Sequence, residues 1–178
     1  MGQLPLSCTQ TARMVYFNIM RIILNMLQVT IMKSDERARR LLHELEHHGY
    51  RPTPQREAVC WALANHGGHP TAAEIFEVVK HHGIGQATVY NTITALEKLG
   101  VIQAMTLNTD EHTRYDLDTA PHVNFVCSAC GSIIDCAAPQ LDLLLAQIAS
   151  GAGATFESAN VIVYGRCKSC QHPSVQSA

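Results

Sequence analysis

Cys127-Ser-Ala-Cys130 and Cys167-Lys-Ser-Cys170 decide how the last third of this chain folds. Each motif places two residues between its thiols. One such pair is a weak signal. Two in a short stretch read as one tetrahedral four-thiolate zinc site, each pair supplying two thiolates to the same ion. The alternatives are two disulfides or a redox pair. A redox Cys-x-x-Cys sits at a helix N-terminus in a βαβ unit. Here each pair instead follows a strand-like run, Val123–Val126 and Val161–Gly165. A closed zinc site contributes folding free energy, so it speaks first to architecture.

Working outward, Val123–Cys127 and Ser132–Cys136 read as strands flanking the first knuckle. Pro139 begins a helix with Leu141, Leu144, Leu145 and Ile148 on one face, broken by Gly151 and Gly153. The predicted order is β-β-α-β with a zinc staple joining its ends. A unit of about 55 residues is marginal alone, so a metal and a partner subunit would both help it.

The residues upstream have helical periodicity. Ser34 caps a helix carrying Leu41, Leu42 and Leu45 inward and ending near Gly49. Thr53-Pro54 opens a second helix, threonine as N-cap and proline at the first position. Thr71 and Glu74 form a capping box for a third helix through about Lys80. After the turn at Gly83 and Gly85, a fourth helix runs from about Ala87 to Leu99 and stops at Gly100. Its Val89, Ile93 and Leu96 make one buried stripe, while Gln86, Tyr90, Asn91, Thr94 and Lys98 face the other way. A short helix, a glycine turn and a helix with a polar N-terminal face are the parts of a helix-turn-helix. Strand-like runs at Val101–Leu107 and Thr113–Leu117 then add a hairpin. The predicted fold class is α+β: an N-terminal winged helix-turn-helix and a C-terminal α/β dimerisation domain with a four-cysteine zinc site.

The bulk properties agree with a packed core, since 47% of the 178 residues are hydrophobic and 16% charged. The net charge of −2 does not advertise nucleic-acid binding. Arg37, Arg39, Arg40 and Arg51 cluster early, however, where they could meet phosphates. The remaining thiols are Cys8, Cys60 and Cys136, and Cys60 falls on an expected core face. With no clear secretion signal, reduced thiols and a cytoplasmic setting are expected. Val15–Met32 is mostly apolar, yet Asn18, Arg21, Asn25 and Gln28 line one stripe of it. An arginine inside the run argues against a bilayer span, so no membrane is expected. Residues 1–33 are read as an extension outside the folded unit or a start placed too early. Residues 34–117 are read as the winged helix, 118–172 as the zinc-stapled domain and 173–178 as a tail.

Several segments now fall into one order: Thr53-Pro54-Gln55-Arg56, His69-Pro70-Thr71-Ala72, Ala87-Thr88-Val89-Tyr90-Asn91, Arg114-Tyr115-Asp116 and the two knuckles. This order resembles the ferric uptake regulator family of metal-sensing bacterial repressors, over roughly residues 35–172. The resemblance implies a homodimer on double-stranded DNA at a palindromic operator. It also implies a structural Zn2+ on Cys127, Cys130, Cys167 and Cys170, and a regulatory metal between the domains. By the same resemblance Arg56, Gln86, Thr88, Tyr90 and Asn91 face DNA. An amide can pair with base edges and a tyrosine can pack on a thymine methyl.

The sensing ligands implied by the resemblance are His69, Asp116, His122, Asn124 and Asp135. Two nitrogens and several oxygens suit Fe2+ or Mn2+ better than a thiolate-loving ion. Aspartate at 116 and 135, and asparagine after Tyr90, resemble the peroxide-responsive (PerR) branch. There, bound Fe2+ reacts with hydrogen peroxide, a site histidine is oxidised and repression is lost. Asn124 departs from the pattern by standing where the family has a second histidine. Pro121 and Val123 stand where other branches add ligands, so the resemblance does not extend to a third metal site.

Other readings keep the fold and change the role. One is a zinc or iron uptake regulator; another is a zinc-stabilised interaction module that no longer senses metal, as Asn124 allows. An enzyme is not expected: a four-thiolate site has no open position for water. His43 and His47 lie one helical turn apart, a spacing that permits chelation, although His47-His48 near a helix end reads as solvated.

Overall fold

The computed structural model describes residues 34–108, 111–155 and 158–171. The apolar run Val15–Met32 and the tail 173–178 lie outside the described residues. In the N-terminal half, helix α1 spans residues 34–47. Helix α2 is Pro54–Asn65, α3 is Ala72–Val79 followed by a 3-10 turn at Lys80–His82, and α4 is Gln86–Lys98. No helix among the described residues is long and apolar enough to cross a membrane.

Local chemistry sets these bounds. Thr53 accepts a hydrogen bond from the Arg56 backbone N–H at 3.2 Å, and Pro54 occupies the first turn of α2, where its missing N–H costs nothing. The expected capping box is present: Thr71 accepts from the Glu74 N–H at 3.1 Å, and Glu74 accepts from the Thr71 N–H at 2.7 Å. Beyond α4, Gly100 has φ +69° and donates to the Glu97 carbonyl, a left-handed stop that favours glycine.

The helices pack around Leu41, Leu45, Val59, Leu63, Ile75 and the α4 stripe of Val89, Ile93 and Leu96. The α4 residues read as outward, Gln86, Tyr90, Asn91, Thr94 and Lys98, are all exposed. Cys60 is fully buried in this core, and burial pushes its thiol up to about 12, so it behaves as a small apolar side chain.

The wing strands β1, Gln103–Met105, and β2, Arg114–Asp116, pair antiparallel with Ala104 opposite Tyr115. They are shorter than the runs read from the sequence. Ile102 turns into the core from a bend, and Leu107 leaves the ladder to join Met105 and Val126 in a second small core. That second core joins the wing to the C-terminal sheet. The Asn108 N–H also donates to the Tyr164 hydroxyl at 2.9 Å.

The C-terminal half follows the expected β-β-α-β order: β3, Val123–Cys127; β4, Ile133–Cys136; α5, Leu141–Ala152; and β5, Val161–Gly165. The sheet order is β4-β3-β5, with β3 antiparallel to β4 and parallel to β5. A short helix α6, Lys168–Gln171, follows β5. A Cβ at Gly165 would stand 2.8 Å from the Phe125 ring, so glycine leaves the room that ring occupies. Helix α5 starts at Leu141 rather than at Pro139. Only Leu141 on it is buried; Leu143, Leu144 and Ile148 are exposed, as are Ile134 and Val163 on the sheet.

Candidate metal centres and nucleic-acid interface

The first cluster is the pair of knuckles. One ligand atom from each of Cys127, Cys130, Cys167 and Cys170 lies within 4.8 Å of the others. The sequence alone cannot say why the pairs should meet. Parallel pairing of β3 with β5 does it: Cys127 lies opposite Gly165, so the residues after each strand emerge side by side. Zn–S bonds of about 2.3 Å in a tetrahedron set sulfurs about 3.8 Å apart. Cys130 Sγ and Cys167 Sγ are 3.8 Å apart. These cysteines are unbridged thiols.

The backbone prepares one of these sulfurs for charge. N–H groups of Cys167, Cys130 and Ala129 converge on Cys127 and lower its thiol to about 6. The Cys167 N–H lies 3.3 Å from Cys127 Sγ. The other thiols cannot all follow. The Cys170 thiol donates to the sulfurs of Cys167, Cys130 and Cys127, and keeping that proton drives it up to about 12. Four crowded thiols that compete for protons are what a divalent cation resolves, by replacing those protons.

The second cluster lies between the halves. His69 reaches it from the loop before α3, Asp116 from the end of β2, His122 and Asn124 from the start of β3, and Asp135 from β4. His69 Nε2 lies 3.4 Å from Asp116 Oδ2 and 3.3 Å from Asp135 Oδ1. His122 Nε2 lies 3.0 Å from Asp116 Oδ2. Asn124 Nδ2 lies 3.0 Å from His122 Nε2 and 3.5 Å from Asp116 Oδ2. Ligand atoms of His69, His122 and Asp135 lie within 4.8 Å of one another. The structure thus brings together all five positions expected from the sequence.

The chain aims these groups through its own turns. Asp116 Oδ1 accepts the Asp118 N–H at 2.8 Å, and Asp118 Oδ1 accepts the Ala120 N–H at 3.1 Å. The Ala120 carbonyl then accepts from His122 Nδ1 at 2.9 Å. A carbonyl can only accept, so the proton of neutral His122 sits on Nδ1 and the Nε2 lone pair faces the cluster. Antiparallel pairing puts Asn124 opposite Asp135. The wing fixes His69: Arg114 Nη1 donates to its carbonyl at 3.0 Å, and the Tyr115 N–H donates to the Pro70 carbonyl at 2.8 Å. The roles of Arg114 and Asp118 were not read from the sequence; the Asp-x-Asp spacing from 116 to 118 was the available signal.

Electrostatics show the same convergence. Burial alone would raise Asp116, but its hydrogen bond with His69, the Asp118 N–H and the charges of both histidines outweigh it and hold the carboxyl below its ordinary value. Burial alone would lower His122; the Ala120 carbonyl and the charges of Asp116, Asp118 and Asp135 raise it instead.

Asn124 tests whether a cation fits. It is only 2% exposed, and its Oδ1 is buried without a hydrogen-bond partner. Its Nδ2 points a donor into a cluster of acceptors. A half-turn of the amide exchanges the two atoms at little steric cost. Oδ1 would then face the space that His122 Nε2 and Asp116 Oδ2 share, as a cation there requires. The donor set fits a metal that accepts oxygen and imidazole ligands.

The candidate DNA face lies on α2 and α4. Tyr90 is 44% exposed, with Gln86 and Asn91 open beside it. Arg56, Thr88 and Asn91 line a polar recess of about 370 Å³ between the N-termini of the two helices. The Arg56 guanidinium folds over the Tyr50 ring, 5.6 Å from its centroid, and donates to the Arg51 carbonyl. Arg40, one of the arginines expected from the sequence to meet phosphates, is otherwise engaged. Its Nη2 donates to the carbonyls of Leu117 at 2.8 Å and Val101 at 3.4 Å, tying α1 to the ends of the wing.

A winged helix and a mixed sheet, joined by a His/Asp/Asn cluster and closed by four cysteines, define a two-part metal-responsive DNA regulator. The sequence profile of the ferric uptake regulator family matches residues 47–164, and the chain belongs to that family. It is 35% identical over 140 residues to the peroxide-responsive repressor PerR of Staphylococcus epidermidis, covering 72% of this chain and 91% of that one. Its fold is similar to that of the Helicobacter pylori ferric uptake regulator, with a TM-score of 0.63 and 24% identity over 79% of this chain and 95% of the other. The manganese-containing ferric uptake regulator of Pseudomonas aeruginosa matches with a TM-score of 0.62 and 25% identity, over 71% of this chain and 96% of that chain. The chain is a metal-responsive transcriptional regulator of this family.

Proposed function

We propose that this chain is a homodimeric repressor whose grip on a palindromic DNA operator depends on Fe2+ or Mn2+ held by His69, Asp116, His122, Asn124 and Asp135. Cys127, Cys130, Cys167 and Cys170 hold a structural Zn2+ in this reading. Its signal is hydrogen peroxide or the supply of iron and manganese. Residues 34–117 form the DNA-binding domain and 118–172 the dimerisation domain, in a cytoplasmic setting that keeps the thiols reduced.

The observation that carries the reading is the convergence of His69 on Asp135 at 3.3 Å across the two halves. A metal held from both halves binds one relative orientation better than others. It can shift the population only by that difference in affinity. The orientation selected is the one in which Tyr90, Asn91, Gln86, Thr88 and Arg56 of two subunits face successive major grooves. The exposed apolar residues Leu143, Leu144, Ile148 and Val163 supply a surface for the second subunit.

Fe2+ held there would supply the electrons that reduce hydrogen peroxide. His69 and His122 would hold that ion through their imidazoles, so they would be the side chains open to oxidation. Similarity to PerR supports the peroxide signal. Asn124, a weaker donor than imidazole, supports a separate reading in which metal supply alone is sensed.

The test measures operator affinity with Mn2+, Fe2+ and Zn2+ in turn, then treats the Fe2+ form with peroxide. One added oxygen on the His69 or His122 peptide, with loss of DNA binding, supports peroxide sensing. An unchanged mass with retained Fe2+- or Mn2+-dependent binding assigns the signal to metal supply. DNA binding indifferent to every metal rejects the regulatory site.

A further inference from the structure

His43 and His47 stand one turn apart on α1, with rings nearly parallel at 10° and centroids 6.1 Å apart. His48 follows, its ring edge-on to His47 at 5.2 Å. All three are exposed. Glu44 sits among them: Oε1 is 3.7 Å from His43 Nδ1 and Oε2 is 3.9 Å from His48 Nδ1. Histidine is a middling helix former, and none of these rings is packed in the core, so neither propensity nor burial accounts for the trio. His48 has one structural use: its Nδ1 meets the Glu44 carbonyl at 2.9 Å in the last turn, which leaves Nε2 outward. That contact does not involve His43 or His47.

We propose that His43 and His47 chelate a divalent transition metal of the imidazole-preferring class, Cu2+, Ni2+ or Zn2+, with His48 as the neighbouring third nitrogen. Metal–nitrogen bonds of about 2.0–2.1 Å, one to each ring, keep two ring centroids within roughly 6.4 Å. The observed 6.1 Å is inside that limit, but the bent angle of a chelate needs the centroids roughly 5 Å apart, so the two rings must turn toward each other by about 1 Å to close the site. Residues four apart on a helix share one face, so the backbone is already in place. The Glu44 carboxylate, 3.7 Å from His43 Nδ1, stands where a small rotation lets it orient that ring, as carboxylates beside metal-bound histidines do.

This site differs in chemistry from the interdomain cluster. Nitrogen donors on an open surface follow the general affinity order in which Cu2+ leads and Mn2+ and Fe2+ trail. Occupancy clamps the last turns of α1, just ahead of Gly49 and of Tyr50, whose ring carries Arg56.

The test uses the full zinc-loaded chain with His69→Ala and His122→Ala, so that the interdomain cluster is silent. Ni2+ is titrated by calorimetry into this parent and into the same chain carrying His43→Gln and His47→Gln. The expected result is loss of one equivalent, or affinity at least about tenfold weaker, in the second protein. Equal stoichiometry and affinity overturn the proposal. Substoichiometric Cu2+ with histidine-labelled parent gives a second readout that needs no variant at these positions. Broadening centred on the His43 and His47 ring signals supports the site, and broadening centred elsewhere overturns it.

Discussion

His69 Nε2 and Asp135 Oδ1 lie 3.3 Å apart, although one precedes α3 in the winged helix and the other sits on β4 of the C-terminal sheet. The Asp135 side chain is 64% exposed, so this contact alone contributes little in water. A cation that both residues bind is needed to make the link strong. His69→Ala should therefore leave zinc content and helix content unchanged while removing the metal dependence of DNA binding. Fluorescence anisotropy on operator DNA, with and without Mn2+, checks this. A His69→Ala protein that still gains affinity with Mn2+ removes His69 from the site.

Zinc removal should act on one half of the molecule. Among the described residues the C-terminal sheet buries few apolar side chains: Val126, which packs on the wing, and Cys127 are fully buried. Structural zinc contributes about 10–16 kcal/mol in small zinc-binding peptides at neutral pH, far more than so thin a core supplies. Cys127→Ser, or a strong chelator, should speed amide exchange at Val161–Gly165 and leave α2 and α4 protected. Uniform loss of protection across both halves would show that they unfold as one unit.

The capping box should couple stability to the metal cluster. Thr71→Ala removes one cap, at a cost of about 1 kcal/mol in urea unfolding. Thr71 follows His69 by one proline, and Arg114 bridges the His69 carbonyl to Glu74 Oε2, 3.7 Å away. The same variant should therefore weaken regulatory metal binding. For Glu74, burial raises the carboxyl but the Thr71 hydrogen bonds and Arg114 outweigh it, leaving it lowered. A lowered folded-state value means the stabilisation is present above the ordinary carboxylate value, about 4.3, and is lost as pH falls through the lowered one. The stability gap between wild type and Glu74→Gln should be full at pH 6 and close in stronger acid.

Much of this architecture was legible because its signals are local. The Val89, Ile93, Leu96 stripe needs only helical spacing, and the Thr71–Glu74 box needs only four residues. Strand β3 has the expected bounds, Val123–Cys127. What was not legible depends on distant contacts. Arg40 looks like a phosphate ligand in sequence, yet tertiary packing brings the Leu117 carbonyl within 2.8 Å of its guanidinium. Leu144 and Ile148 have the spacing of a core face, yet within a single chain they are exposed. The substitution at Asn124 was visible; its orphaned Oδ1 was not, because that depends on which strands close over it.

Tyr90→Ala should cut operator affinity by tenfold or more, about 1.4 kcal/mol, with no loss of stability, since the ring is 44% exposed on α4 and stands outside the core that Val89, Ile93 and Leu96 pack into. Thermal unfolding and anisotropy on the same preparation separate the two effects. Intact DNA binding would move the recognition surface away from α4.

Asn124→His tests the residue at which this chain departs from the pattern of its family. Asn124 is buried beside His122 Nε2 at 3.0 Å, on the strand residue opposite Asp135. Its amide offers a metal one neutral oxygen, and only after turning Nδ2 away. Imidazole is the stronger donor for Fe2+ and for later transition metals, and presents its lone pair without that rearrangement. The substitution should tighten Fe2+ binding by on the order of tenfold, about 1.4 kcal/mol, and shift selectivity from Mn2+ toward Fe2+ and Zn2+. The four-cysteine site lies at the other end of β3, so its zinc content should not change. Competition titration for the regulatory metal, with zinc counted on the same sample, measures both. If histidine at this position changes neither affinity nor selectivity, the side chain at 124 does not touch the metal, and the buried Oδ1 has another explanation.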